Sequence, residues 1–230
     1  MQEQISDYHI DTFGSREADI MLLQMVDDHD AGLLDREASL IKELCPDIDF
    51  CLWAVKVNDW NRDLSPWPAP AIFGKEDFAG KAGETLEALL SRILPGMREE
   101  DRARGQKLII GGYSLAGLFA LWSAYQTDCF DGVAAASPSI WYPSFTDYMG
   151  DKMIQAGTVY LSLGDREEKT RNPVMAKAGD AIRRGQVILK EAGVNCILEW
   201  NKGNHFKEPD LRMARAYAWV MKQVVDKGED

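Results

Sequence analysis

One stretch in the middle of the chain limits the possible folds more than any other. Residues 107–113 are an apolar run typical of a strand, residues 115–125 are an apolar run typical of a helix, and only Ser114 stands between them. So abrupt a turn forces the joining residue toward strained backbone angles and requires small neighbours. Gly112, Ala116 and Gly117 are such neighbours. The pattern predicts that Ser114 is lifted above the edge of a sheet.

The segment 112–116 reads Gly-Tyr-Ser-Leu-Ala, a variant of the nucleophile elbow with alanine in place of the usual last glycine. The predicted turn places the amide of Leu115 at a helix N-terminus, where unpaired N–H groups favour negative charge. These are the surroundings that an acyl-transfer nucleophile needs. The alternative is a glycine-rich junction with an incidental serine. We favour the nucleophile because the strand and helix patterns stand on the correct sides of Ser114.

The composition predicts one globular domain over residues 1–230 without a separate lid domain. A formal net charge of -11 disfavours nucleic acid as a partner, because a polyphosphate backbone would be repelled. No apolar run is long enough to span a bilayer, so no membrane association is expected. Residues 1–7 lack the basic and apolar regions of a secretory signal, which favours a cytoplasmic location. The sequence carries no signal of oligomeric state.

Neither the cysteines nor the acidic segment 27–30 indicates a metal site. Cys45, Cys51, Cys129 and Cys196 show no C-x-x-C spacing, so reduced structural thiols are expected. The run Asp-Asp-His-Asp at 27–30 resembles a metal cluster, but adjacent residues of an extended chain point in opposite directions. A loop followed by a helix cap is the better interpretation. We expect no metal and no cofactor.

Strand and helix patterns alternate along most of the chain, which predicts an α/β fold with a mainly parallel sheet and helices on both faces. Ligands of such sheets bind at the carboxyl ends of the strands. Ser114, the loop 165–168 and His205 each follow a predicted strand, so they are expected at one edge. The predicted strands are 5–13, 20–26, 48–57, 107–113, 132–137, 158–163 and 194–200; the predicted helices are 33–44, 83–94, 115–125, 172–192 and 209–225.

The loop 58–74 is unusually long and contains prolines and two tryptophans. Long loops in compact domains usually carry function, so Trp60 and Trp67 are candidates for lining a substrate pocket. Arg62 is a candidate for holding an anionic group, and Trp141 is a further pocket candidate. Packing of the tryptophans against the core is the alternative.

A serine hydroxyl is a weak nucleophile unless a base takes its proton, and histidine is the natural base at neutral pH. The chain has three histidines. His205 alone stands in a Ser, acid, His order, in a loop near the C-terminus. His9 lies in a predicted edge strand, where a structural role is favoured. A carboxylate must also orient the base, and the loop 165–168 offers candidates.

Four segments together resemble the α/β-hydrolase superfamily, and specifically the esterases akin to esterase D and the enterochelin esterases. They are GGYSLAG around Ser114, AAASPSIW at 134–141, LSLGDREEKTRNPVM at 161–175 and GNHF around His205. The resemblance spans nearly the whole chain. It implies an α/β-hydrolase fold, a serine esterase acting on a small-molecule ester, Ser114 as the nucleophile and His205 as the general base.

The same resemblance leaves two parts of the site open. Hydrolases of this fold often carry the acid about three residues after the glycine that ends a strand, which selects Glu167, with Asp165 and Glu168 as alternatives. The second oxyanion donor, beside the Leu115 amide, is expected in the loop after an early strand. That points to the backbone amide of Asp28 or His29, although relatives carry a glycine in this loop.

Two other functions remain compatible with these residues. An acyltransferase would use the same three side chains to pass the acyl group to an alcohol or thiol in place of water. A thioesterase would use them to hydrolyse a thioester in place of an ester. A non-catalytic binding protein on a hydrolase scaffold is the third possibility, and the unusual loop at 27–30 argues mildly for it.

Overall fold

The computed structural model describes residues 2–5, 7–72, 74–97 and 105–226. Its main feature is an eight-stranded sheet in the order β1-β2-β4-β3-β7-β8-β9-β10. Within this sheet the β1–β2 and β2–β4 pairs are antiparallel, whereas β3, β4 and β7 to β10 run parallel. These strands are β1 (Gln2–Ile5), β2 (Tyr8–Gly14), β3 (Ile20–Val26), β4 (Phe50–Lys56), β7 (Lys107–Tyr113), β8 (Gly132–Ala136), β9 (Thr158–Gly164) and β10 (Asn195–Asn201).

Helices connect the parallel strands and cover both faces of the sheet. They are α1 (Asp28–Ala31), α2 (Leu34–Leu44), α3 (Trp60–Asp63), α4 (Ala82–Ala88), α5 (Leu94–Met97), α6 (Ser114–Ser123), α7 (Phe145–Asp151), α8 (Ala178–Glu191) and α9 (Pro209–Asp226). A short hairpin of β5 (Pro68–Ala69) and β6 (Phe78–Ala79) lies apart from the main sheet. Within the described ranges, no helix combines the length and apolar character that crossing a membrane requires. The predicted α/β fold class is confirmed.

The alternation of side chains along β3 divides the core into two layers. All of β3 is buried; Leu23 and its same-face neighbours pack with α4, α6 and α8, whereas Leu22 packs with α2 and α9. A continuous apolar run is what a strand covered on both faces needs. Each face therefore buries its own apolar layer, which fixes the sheet as the rigid centre of the molecule.

The parallel strands bring distant segments to one edge of the sheet. β3 ends at Val26, β7 at Tyr113, β9 at Gly164 and β10 at Asn201, and each pairs in parallel register with its neighbours. Because carboxyl ends of parallel strands lie on the same side, the residues that follow them converge. This edge receives Asp27, Ser114, Glu167 and His205.

Two predicted helix boundaries were wrong. Pro95 and Gly96 do not end the helix that contains α4, because a π-helical turn at Leu89–Ile93 links α4 to α5. The amide of Leu94 reaches back to the carbonyl of Leu89, and Pro95 then stands in a first turn, where its missing N–H is not needed. Asn172 does cap a turn, with its Oδ1 accepting from the amides of Val174 and Met175, but α8 begins only at Ala178.

The loop 58–74 and the segment 5–13 contain more regular structure than the sequence predicted. The loop includes α3 and β5, and its Trp67 packs against Tyr142, Phe145 and Tyr148. The predicted edge strand is the pair β1 and β2. Ser6 and Phe73, which fall in these two segments, lie outside the described residues.

Gly112 allows the strand and helix of the elbow to pass closely, and we expect alanine there to be strongly destabilising. A Cβ at Gly112 would lie 2.4 Å from the backbone carbonyl carbon of Ala116, in a fully packed region. Gly112→Ala should lower the free energy of unfolding by about 3 kcal/mol. Gly83→Ala is the matched control, because its Cβ meets nothing within 4 Å in α4 and alanine favours a helix by about 0.5–1 kcal/mol. Urea unfolding distinguishes the two, and equal midpoints would contradict this account.

Candidate active site

Ser114 stands at the joint between β7 and α6 in a strained conformation. Its φ is +56°, in the left-handed region that non-glycine residues rarely adopt. Tyr113 before it is extended, with φ -101° and ψ 145°, and the helix begins at once. The Ser114 carbonyl accepts a hydrogen bond from the Ser139 amide at 2.9 Å. The strain is the local signature of an exposed hydroxyl held above the sheet.

His205 reaches Ser114 from the loop between β10 and α9. Its Nε2 lies 3.0 Å from the Ser114 Oγ. Gly203, with φ +112°, turns the chain back toward the sheet two residues earlier. The Tyr113 hydroxyl donates to the His205 carbonyl oxygen at 2.7 Å and so fixes the backbone that carries the ring. The imidazole is within reach to accept the serine proton.

Glu167 contacts the other nitrogen of the ring. Its Oε2 lies 2.7 Å from the His205 Nδ1. Its Oε1 accepts hydrogen bonds from the Gly164 amide at 2.7 Å, the Ser137 hydroxyl at 2.8 Å and the Arg212 guanidinium at 2.9 Å. The carboxylate therefore has one oxygen fixed by three donors and the other directed at His205.

The two alternative acids have other partners. Asp165 accepts a hydrogen bond from the Gly203 amide at 2.8 Å, which ties the two loops of the site together. Glu168 turns away to pair with Arg183 at 3.4 Å. Among the three candidate acids, Glu167 is the one that contacts His205.

Arg212 is a buried cation that the sequence analysis did not identify. Its side chain is 2% exposed, and its guanidinium donates to Glu167, Tyr113, Ser137 and the Asn204 carbonyl at 2.9–3.1 Å. Each of these partners belongs to a different part of the site. Arg212 thus joins the acid, the strand before the serine and the histidine loop in one network. A charged residue beside the apolar positions of α9 was the only sequence signal for it.

The electrostatics of this network keep Glu167 charged and Tyr113 neutral. Burial opposes ionisation of Glu167, but the hydrogen bond and charge of His205 and the Ser137 hydroxyl outweigh it, so the pKa of Glu167 lies below its ordinary value. Burial raises the pKa of Tyr113 to about 12. Tyr113 therefore keeps its proton and remains a donor to the His205 backbone.

The acidic segment after β3 folds as a capped turn. The Asp27 carboxylate accepts from the amides of His29 and Asp30, both at 2.8 Å, at the start of α1. The His29 amide, one of the two candidate oxyanion donors, is therefore already engaged. The Asp28 amide is the first of α1, so it has no acceptor within that helix. The Leu115 amide, in the first turn of α6, likewise has none within its helix. The Asp28 side chain pairs with Lys56.

A cavity of about 150 Å³ opens beside the serine and the histidine. Of the four predicted pocket residues, Trp60 lines it, but Arg62, Trp67 and Trp141 do not. Arg62 pairs with Asp63 at 2.8 Å, and Trp67 donates its indole N–H to the Pro143 carbonyl at 3.0 Å. The lining residues are Asp27, His29, Asp30, Trp60, Tyr113, Ser114, His205, Phe206 and Pro209.

No group of three histidine, cysteine or acidic side chains within the described residues is arranged to hold a metal ion. All four cysteines are free thiols, and Cys45 and Cys51 are buried. The polar groups at this edge of the sheet include the Ser114 hydroxyl, the His205 imidazole, the Glu167 carboxylate and the backbone amides around them.

Ionisation of Asp30 is expected to destabilise the folded protein. Burial, followed by the charge of Asp27, raises the pKa of Asp30 to about 6 from 3.8. The carboxyl is protonated in both states below about pH 4, and the cost of ionising it in the folded state grows until about pH 6. Asp30→Asn should therefore raise the free energy of unfolding at pH 7.5 by about 1–2 kcal/mol.

Urea unfolding as a function of pH checks this expectation. The gain from Asp30→Asn should disappear below pH 4, where the wild-type carboxyl is already neutral. Asp28→Asn is the control, since Asp28 is exposed and paired with Lys56, and it should change stability by less than about 0.5 kcal/mol. A gain from Asp30→Asn that is the same at pH 4 and pH 7.5 would contradict the account.

Comparison with known proteins finds similar folds among solved structures of hydrolases. No family model matches the chain, and no curated protein matches it. The fold is similar to an IroE-like serine hydrolase from Shewanella oneidensis, with a TM-score of 0.72, 15% identity and coverage of 94% of this chain and 75% of that one. It is similar to the siderophore hydrolase EstA from Aspergillus nidulans, with a TM-score of 0.70, 19% identity and coverage of 97% and 94%.

A third solved structure, the enterobactin and salmochelin hydrolase IroE, has a TM-score of 0.63 and 19% identity, and covers 100% of this chain and 94% of that one. At sequence identities of 15–19%, this similarity is one of backbone fold. Together with the sheet order and the strained serine between β7 and α6, it establishes that the chain has the α/β-hydrolase fold.

Proposed function

We propose that this protein is a serine esterase that hydrolyses a small carboxylic ester through an acyl-enzyme. The observation that carries the proposal is the continuous contact from Glu167 to His205 to Ser114, at 2.7 Å and 3.0 Å, with the serine in the strained conformation of an elbow. Nucleophile, base and orienting acid are thus in mutual hydrogen-bond reach before any substrate binds.

The mechanism follows from the donors and acceptors of the site. Glu167 accepts the proton on Nδ1 of His205, which leaves Nε2 free to accept the Ser114 proton as Oγ attacks the ester carbonyl. The negative charge that develops on the carbonyl oxygen is met by unpaired amides, those of Leu115 and Asp28 being the candidates. His205 then protonates the departing alcohol, and Ser114 retains the acyl group.

Water completes the reaction in the second half. His205 takes a proton from a water molecule, the hydroxide attacks the acyl-enzyme carbonyl, and the acid leaves as Ser114 recovers its proton from His205. The cavity of about 150 Å³ admits one small group beside the serine, since an empty space of about that size holds a molecule such as benzene. The similarity in fold to serine hydrolases supports the same chemistry.

Rapid mixing with p-nitrophenyl acetate tests the proposal. We expect a burst of nitrophenol equal to the protein concentration, followed by slower turnover, because an acyl-enzyme accumulates with so good a leaving group. The heat-unfolded protein is the control for hydrolysis by surface side chains. Release no faster from folded than from unfolded protein would refute the proposal.

A further inference from the structure

The cavity beside Ser114 is acidic. Among the described residues, its lining includes the two acids Asp27 and Asp30 and no lysine or arginine. The cation of Lys56 pairs with Asp28, which lies outside this lining. The guanidinium of Arg212 is paired with Glu167. A ligand in the cavity therefore meets negative charge that the protein does not neutralise there.

The Asp30 carboxylate in particular has no partner of its own. Its backbone amide donates to Asp27, but within the described part of the chain no hydrogen-bond donor or cation pairs with its side chain. Burial, followed by the charge of Asp27, raises its pKa to about 6, and the charges of His29 and His205 act in the opposite direction without outweighing them. A partly desolvated, unpaired carboxylate is costly, and a bound cation would offset that cost.

Aromatic rings complete the same cavity. Trp60 and Tyr113 line it, and Phe206 stands at its rim with its side chain 82% exposed and its ring edge-on to His205. Apart from this contact with His205, most of the Phe206 ring surface is open to a ligand in the cavity. Ring faces together with carboxylates are the surroundings in which proteins hold ammonium groups, by cation–π contact and charge attraction.

We propose that the substrate of this site is an ester that carries a positively charged ammonium group, held in the cavity by the Asp30 carboxylate and the ring of Trp60. This inference rests on the proposed esterase activity and adds the charge class of its substrate. Asp30 acts as a specificity-determining residue, with Asp27 contributing charge at longer range. Anionic esters are disfavoured by the same two carboxylates and by the net charge of -11.

A matched pair of thioesters measures this preference. Acetylthiocholine carries a quaternary ammonium, and S-(3,3-dimethylbutyl) thioacetate replaces that nitrogen with carbon at the same size and shape. The assay follows thiol release at pH 8, where Asp30 is ionised. We expect kcat/KM for the cationic ester to exceed that for the neutral one by about tenfold. The readout is this ratio, so a change in overall activity does not enter it.

Two variants assign the preference to Asp30. Asp30→Asn should lower the ratio at least about fivefold, whereas Asp35→Asn, which removes the same charge from an exposed position in the first turn of α2, should leave it within about twofold. An Asp30→Asn variant that slows both esters equally would show that Asp30 acts through His205, and it would overturn the inference.

The remaining outcomes separate this inference from the proposed function. A wild-type ratio of one or less, or hydrolysis of p-nitrophenyl acetate without hydrolysis of acetylthiocholine, overturns the inference and leaves the esterase standing. Failure to hydrolyse any of these esters overturns both.

Discussion

Replacing Ser114 with alanine is expected to lower kcat/KM for an aryl ester by at least about 10³-fold, because the substitution removes the attacking oxygen. His205→Ala should cost a similar factor, since Oγ then keeps its proton. The double variant should lose little more than either single one, because the two side chains act as a unit. Initial rates with p-nitrophenyl acetate measure all three variants.

The control for Ser114→Ala is the other serine of the same helix. Ser123 ends α6, is fully buried and lies far along the helix from the histidine, so Ser123→Ala should keep the wild-type rate within about twofold. Circular dichroism and urea unfolding show whether each variant is folded. A folded Ser114→Ala protein with wild-type turnover would remove Ser114 from the mechanism.

The second large effect is expected for Glu167→Gln. Three donors point at the Oε1 of Glu167, so the glutamine carbonyl must take that place and its NH₂ must face the Nδ1 of His205. The ring is then forced to accept at Nδ1 and to carry its proton on Nε2, where it cannot take the serine proton. We expect kcat/KM to fall about 10³- to 10⁴-fold, as for a base held in the wrong tautomer.

The same substitution leaves Arg212 buried without its counter-charge, so a loss of about 2–4 kcal/mol in the free energy of unfolding is also expected. Glu168→Gln is the matched control, one residue along the chain, and its partly exposed pair with Arg183 should contribute less than about 1 kcal/mol. Its kcat/KM should stay within about twofold of the wild type. If Glu167→Gln kept more than a tenth of the wild-type kcat/KM, Glu167 would not be the orienting acid.

The elbow and the sheet were predictable because their signals are local. The pattern around Ser114 combines an apolar strand, small residues where strand and helix pass each other, and an apolar helix. All three features lie within about twenty residues of the chain. The continuous apolar runs of β3 and β7 indicated strands covered on both faces, and the parallel arrangement then placed Ser114, the loop 165–168 and His205 at one edge.

The family resemblance selected Glu167 but left Asp165 and Glu168 open, because the choice depends on the turn after β9. Within that turn the three side chains point in different directions, toward Gly203, His205 and Arg183 respectively. No period or composition encodes such a direction. The network of Arg212 was missed for a related reason, since three of its four partners lie 45 to 99 residues away from it along the chain.

Three of the four pocket candidates, Arg62, Trp67 and Trp141, do not line the cavity beside Ser114, for a different reason. Trp67 and Arg62 belong to the same loop as Trp60, and a tryptophan in a proline-rich loop looks the same whether it lines a cavity or fills a gap. Only the packing of Trp67 on Tyr142, Phe145 and Tyr148 distinguishes the two. Conversely, Asp30 was interpreted as part of a helix cap, but it is Asp27 that caps α1, which leaves Asp30 to face the cavity.

The central claim is that Ser114 is an activated nucleophile, and covalent labelling with a fluorophosphonate tests it without knowledge of the substrate. The account predicts one label per folded chain, found by peptide mapping on Ser114, absent from Ser114→Ala and greatly slowed in His205→Ala. A folded protein that takes up no label, or that carries the label on another residue, would contradict it.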